Sequence, residues 1–163
     1  MIILGKTLYS LDTSALVTAW WRNYPPDVFA PVWGHMDTLI RNGVVRASRE
    51  VLIELEKQDD DLYRWCQVRE DDLFIDLVEE LQDAVSALLV KYPKLVATAR
   101  NKADPFVIAL ATLSKPIPLI IVTEESQLSG SAKRPNIPFI CKNEGLTSQP
   151  FLTLLRDTGF KLH

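Results

Sequence analysis

Apolar residues follow two different rhythms along this chain, and the two rhythms alternate. Leu77, Val78, Leu81, Ala84, Val85, Leu88 and Leu89 recur at the spacing of one helical face, with Glu79, Glu80, Gln82 and Asp83 opposite. That stripe predicts an amphipathic helix, which Tyr92-Pro93 ends. The run over about 118–122, with Leu119-Ile120-Ile121-Val122, has no alternation; it reads as a parallel strand covered on both faces. A first strand is expected over about 7–11, closed by Asp12, with a helix from about 14 to 21 capped by Thr13 or Ser14. Pro25-Pro26-Asp27 breaks that helix, and a second runs from about 28 to 42, where Asn42-Gly43 stops it. Val44 to Ala47 reads as a short strand, and Ser48 caps a helix that continues to about 57. Asp59-Asp60-Asp61 interrupts, and the segment 60–69 looks helical again.

Further on, Asp104-Pro105 opens a helix to about 114 that is apolar on most sides, which suggests burial against a sheet. Ile137 to Cys141 reads as a last short strand, placed at an edge by Pro138. A helix over about 149–157 closes the pattern. Strands alternating with helices in this order predict an α/β fold: a three-layer α/β/α sandwich with a mainly parallel central sheet.

A length of 163 residues suits a single domain over 1–163. No apolar run approaches the roughly 20 residues that span a bilayer, and no membrane role is expected. Met1 to Leu4, followed by Gly5-Lys6, is too short for the core of a signal peptide, so a cytoplasmic protein is expected. Cys66 and Cys141 lack metal-ligand spacing and read as reduced thiols. With His35 and His163 as the only histidines, a zinc site or a histidine-based triad is disfavoured. The net charge of −3 hides an asymmetry: residues 1–92 balance at −7 and residues 93–163 at +4. An acidic total does not favour nonspecific duplex binding, although the basic half can steer a phosphate chain towards an acidic site.

The acidic residues with the most telling positions stand where strands give way to helices. Asp12 follows the first strand, Asp104 opens a helix, and Val122-Thr123 runs into Glu124-Glu125. Each has a local reading: Asp12 as a helix cap, Asp104 as a cap followed by proline, the glutamates as surface turn residues. In an open α/β sheet, however, the carboxyl ends of strands gather at one edge, where ligands bind. Carboxylates converging there make a hard, oxygen-rich site for Mg²⁺ or Mn²⁺. Two carboxylates about 4 Å apart repel by about 4 kcal/mol at an effective dielectric near 20, and a divalent ion reverses that sign. A fourth carboxylate would come from the helix after the second strand. Its buried arc is Val51, Leu52 and Leu55, and the helical wheel does not choose between Glu54 and Glu56.

Taken in order, four segments resemble PIN domains, the metal-dependent nucleases that include VapC-type toxins. They are Leu11-Asp12-Thr13-Ser14-Ala15-Leu16, Val51-x-x-Glu54-Leu55, Ala103-Asp104-Pro105-Phe106-Val107-Ile108-Ala109 and Val122-Thr123-Glu124-Glu125. The resemblance covers about residues 8–141 and implies an acidic quartet of Asp12, Glu54, Asp104 and Glu125. PIN nucleases usually carry Asp where Glu125 stands and another acid where Gln127 stands, so Glu124 and Glu125 could exchange roles as metal ligands. The family also implies a Mg²⁺- or Mn²⁺-dependent endoribonuclease, the toxin of a toxin–antitoxin pair, with RNA as substrate and a cognate antitoxin as partner. The alternative is a catalytically inactive PIN-like module that binds protein.

Thr123 and Ser14 are candidate hydroxyl donors to the carboxylates, and local capping would use them equally well. Arg100, Lys102, Lys133 and Arg134 are candidates for phosphate contact. For Trp20 and Trp21, packing in the core or in a homodimer ranks ahead of base stacking, the third reading. Phosphotransfer on an aspartate is disfavoured, because the second acid it needs two residues after Asp12 is Ser14 here.

Overall fold

In a computed structural model the described residues are 6–96, 103–114 and 117–163. Five short strands carry the fold: β1 Tyr9–Leu11, β2 Val45–Ser48, β3 Phe74–Ile75, β4 Ile120–Val122 and β5 Ser148–Gln149. They form one sheet in the order β3-β2-β1-β4-β5, every pairing parallel. The chain therefore builds outward from β1 to β2 and β3, then returns to the other side of β1 for β4 and β5. The crevice between the carboxyl ends of β1 and β4 is the point where the strand order reverses, the place where such sheets bind ligands. The register sets Leu11 beside Val122, and Asp12 N–H donates to Val122 O at 2.9 Å.

Helices flank this sheet to give the expected α/β/α sandwich. They are α1 Thr13–Thr18, α2 Ala30–Arg41, α3 Arg49–Glu56, α4 Asp61–Val68, α5 Glu70–Leu73, α6 Glu79–Lys91, α7 Asp104–Leu113, α8 Ile137–Glu144 and α9 Phe151–Asp157. The apolar character of α7 has a direct cause: it lies against β1, β2 and β4 and is backed by α6. Val107, Ile108, Ala109, Leu110 and Ala111 are consequently all buried. Burial of such side chains stabilises by roughly 1.5–3 kcal/mol for each large one, the main favourable term in holding the layers together. Trp20, Trp33 of α2 and Trp65 of α4 pack with ring centroids 4.7–5.8 Å apart.

Several boundaries differ from the sequence reading. Residues 137–141 are not an edge strand but the start of α8. Proline lacks a backbone donor in either setting, and here Pro138 occupies the first turn, where helices have no use for one. Asn136 Oδ1 accepts from Phe139 N–H at 3.0 Å and Gly145 closes the helix in the left-handed conformation. Helix α1 is capped by Asp12, not by Thr13 or Ser14. After Thr18 the helix widens to a π segment, Ala19–Asn23, in which Tyr24 N–H reaches back to Ala19 O. Leu77 and Val78 precede α6 and are exposed, so the stripe read from 77 begins to be helical only at Glu79. The strands β3 and β5 went unread because two residues carry no period.

Candidate metal centre

Asp12, Asp104 and Glu125 reach one spot from three separate junctions. One carboxylate oxygen of each lies within 4.8 Å of the others. Asp12 is 2% and Asp104 4% exposed, so both are withdrawn from water. Asp12 is held on every side: Oδ1 accepts from Thr13 N–H at 2.8 Å, and Oδ2 accepts from Ser14 Oγ at 2.6 Å and Thr123 Oγ1 at 2.9 Å. Those hydroxyls also shape the turn after β4. Glu124 N–H donates to Ser14 Oγ at 3.0 Å, and Glu125 N–H donates to Thr123 Oγ1 at 3.1 Å. Ser14 and Thr123 thus orient the carboxylate and the turn together, beyond any local capping.

Asp104 is different. It is not the helix cap the sequence suggested: Ala103 holds the cap position, with no side-chain hydrogen bond there, and Asp104 is the first helical residue. Its Oδ2 is buried without a hydrogen-bond partner. Leaving such an oxygen unsatisfied costs roughly 1–3 kcal/mol, and helix capping does not repay it. Burial, then the charges of Asp12 and Glu125, push the Asp104 carboxyl up to about 10. Burial and Glu125 raise Asp12 to about 6, against the lowering effect of its hydrogen bonds. Like charges this close and this deeply buried cannot all ionise, so protons are held in the cluster.

The two consecutive glutamates part company. Glu125 Oε2 accepts from Ile137 N–H at 3.0 Å, which ties it to the start of α8 while it faces Asp104. Glu124 Oε1 accepts from Phe151 N–H at 2.9 Å at the start of α9, and Glu124 is not one of the three converging acids. Glu54, rather than the exposed Glu56, turns inward from α3; its Oε1 accepts from Ala103 N–H at 2.6 Å. It sits beside the trio and adds to the charge felt by Asp104, without belonging to the group that meets within 4.8 Å. An orphaned oxygen among three close carboxylates is a donor set that fits Mg²⁺ or Mn²⁺.

Of the basic candidates, Arg100 and Lys102 lie outside the described residues. Lys133 and Arg134 are exposed on the loop before α8. Trp20 is buried, as the packing reading expected, whereas Trp21 is 49% exposed. A cavity of about 420 Å³ beside the acids is lined by Thr13, Val17, Trp21 and Glu54, and by Lys57 and Asp60. Sequence reasoning passed over this cavity, although Thr13, Val17 and Trp21 at four-residue spacing put one stripe of the first helix next to Asp12. Cys66 and Cys141 are free and buried, and burial pushes each thiol up to about 12. Among the described residues no helix is long and apolar enough to cross a membrane.

The strand order reverses beside β1, and the acidic crevice stands above that point in a parallel α/β/α sandwich. This fold is similar to a chain in the crystal structure of VapBC2 from Rickettsia felis bound to a DNA fragment from their promoter. That match has a TM-score of 0.50 and 17% identity, and covers 88% of this chain and 98% of the other. Residues 9–162 match the family model of a domain of unknown function, DUF4411, and the chain belongs to that family. No curated protein matches it.

Proposed function

We propose that this chain, as one nuclease domain over 1–163, is a Mg²⁺- or Mn²⁺-dependent endoribonuclease of the cytoplasm, the toxin of a toxin–antitoxin pair. The observation that carries the reading is the meeting of Asp12, Asp104 and Glu125 within 4.8 Å. Those three residues hold the ion, with the orphaned Asp104 Oδ2 as its most exacting ligand. Glu124, engaged at α9, leaves that role to Glu125. Bound there, a divalent ion supplies an activated water and a Lewis acid for a phosphodiester oxygen. Ser14 and Thr123 keep Asp12 from turning away. Glu54 spends Oε1 on the Ala103 amide and adds its charge beside the trio. The basic residues Arg100 and Lys102 draw in the RNA. The similarity in fold to a VapBC2 chain supports a cognate antitoxin as partner.

Purified protein should cut single-stranded RNA with Mn²⁺ and stop with EDTA. Glu125→Gln should lower cleavage at least tenfold, because it removes a ligand charge. Glu124→Gln should cleave nearly as well as the wild type and lose roughly 0.3–1 kcal/mol of stability, by weakening the negative charge at the start of α9. The reverse ranking would move the metal ligand by one residue. No cleavage by the wild type with either ion would favour the inactive protein-binding module.

A further inference from the structure

The cavity beside the acidic trio has features that the reading above does not use. Its wall is the stripe Thr13, Val17 and Trp21, facing Leu55 and Lys57 at the end of α3, with Glu54 and Asp60 at its polar side. The π segment matters to that wall. Such wide turns are frequent at functional sites, and here consecutive tryptophans take opposite fates within Ala19–Asn23. Trp20 enters the aromatic cluster with Trp33 and Trp65, while Trp21 keeps 49% of its surface open and lines the cavity. An indole half in water is apolar area left uncovered beside a polar site.

The polar side has a definite sense. Glu54 gives Oε1 to the Ala103 amide and Asp60 gives Oδ1 to the Tyr63 amide. Among the described residues no hydrogen bond occupies the second oxygen of either carboxylate. Two acceptor groups therefore face a space of about 420 Å³, within the usual range for small-molecule sites. Lys57 supplies a cation at the rim. Thr13 follows Asp12 in the chain, and Glu54 accepts from the amide of Ala103, the neighbour of Asp104, so two lining residues connect the cavity to the elements that carry the trio.

We infer that this cavity is a nucleobase subsite: an unpaired base next to the scissile phosphate stacks on Trp21 and presents an exocyclic amino group to Glu54 and Asp60. Cytosine is favoured over uracil, because its N4 amino group donates where the O4 of uracil would meet a carboxylate oxygen. The proposal rests on the nuclease reading for the phosphate, but binding of the base does not require cleavage.

The test therefore reads binding and cleavage separately. In an Asp104→Asn background, where cleavage does not intervene, fluorescence anisotropy follows fluorescein-labelled rC8 and rU8. Base–aromatic stacking is worth about 1–3 kcal/mol per base, so Trp21→Ala should weaken rC8 binding by roughly five- to 150-fold. Trp21→Phe, which keeps a stacking face, should stay within about threefold. With Trp21 present rC8 should bind at least fivefold tighter than rU8, and Asp60→Asn should reduce that ratio. In the otherwise wild-type protein with Mn²⁺, Trp21→Ala should raise KM for RNA with little change in kcat. Unchanged rC8 affinity in Trp21→Ala, with cleavage intact, overturns the subsite and leaves the nuclease reading standing. Trp21-dependent binding of rC8 by a protein that cuts no RNA supports the subsite and removes the nuclease reading. Equal affinity for rC8 and rU8 overturns the base preference.

Discussion

Asp104→Asn should abolish metal-dependent RNA cleavage while leaving the metal-free fold at least as stable as the wild type. The two halves of that expectation have one cause. The Asp104 carboxyl is raised to about 10 by burial and by the charges of Asp12 and Glu125, so without metal its side chain is neutral at pH 7. An amide is close in shape to that neutral acid, and the helix loses nothing, because Asp104 makes no capping hydrogen bond. A cation, by contrast, needs the negative charge that Asn lacks. Cleavage assays with Mn²⁺ and thermal melts in EDTA read the two halves separately. An Asp104→Asn protein that cleaves like the wild type would remove the centre of the proposed site.

The second large effect is the linkage of metal and pH to stability. Asp12 and Asp104 have folded values of about 6 and about 10, against about 4 when unfolded. The folded state therefore binds more protons than the unfolded chain above pH 4. The stability these groups contribute is fully present below about pH 4 and is lost as pH rises through their folded values. Metal-free protein should thus melt at progressively lower temperature from about pH 5 towards pH 9, and Asp104→Asn should flatten the decline. Mn²⁺ or Mg²⁺ should restore what is lost, since the ion takes the place of the protons. At 100 times Kd the gain is about 2.7 kcal/mol, a rise in Tm of roughly 5–10 °C for a domain of this size. Melts unaffected by millimolar Mn²⁺ across that range would count decisively against a metal centre.

How much of this was readable beforehand depended on the length of the signal. The buried helix α7, the continuous strand β4 and the three converging acids follow from patterns several residues long or from repeated strand-to-helix junctions. Segment 137–141 misled because Pro138 suits both an edge strand and a first helical turn, and the Asn136 cap that decides between them is a local contact. The choice of Glu54 over Glu56 and of Glu125 over Glu124 came from the resemblance alone, because helical spacing and the strand ending do not decide it. Each depends on which backbone amide the other element presents: Ala103 for Glu54, Ile137 for Glu125, Phe151 for Glu124. Asp104 had two readings in the sequence, since Asp-Pro is a common helix start, and its buried, unpartnered oxygen sets it apart from a cap.

The hydroxyl bridge between Ser14 and Thr123 joins residues 109 apart in sequence, with Oγ and Oγ1 at 3.2 Å. Contacts of such separation form late, because a long loop must close before they reward it. Synthesis runs from the amino end, so a growing chain carries Asp12 and then Asp104 long before the strand that brings Thr123 and Glu125. Until β4 has paired with β1 there is no trio of acids, because Glu125 follows β4 in the chain. The site is thus a property of the paired sheet, and it comes into being only when the two central strands meet.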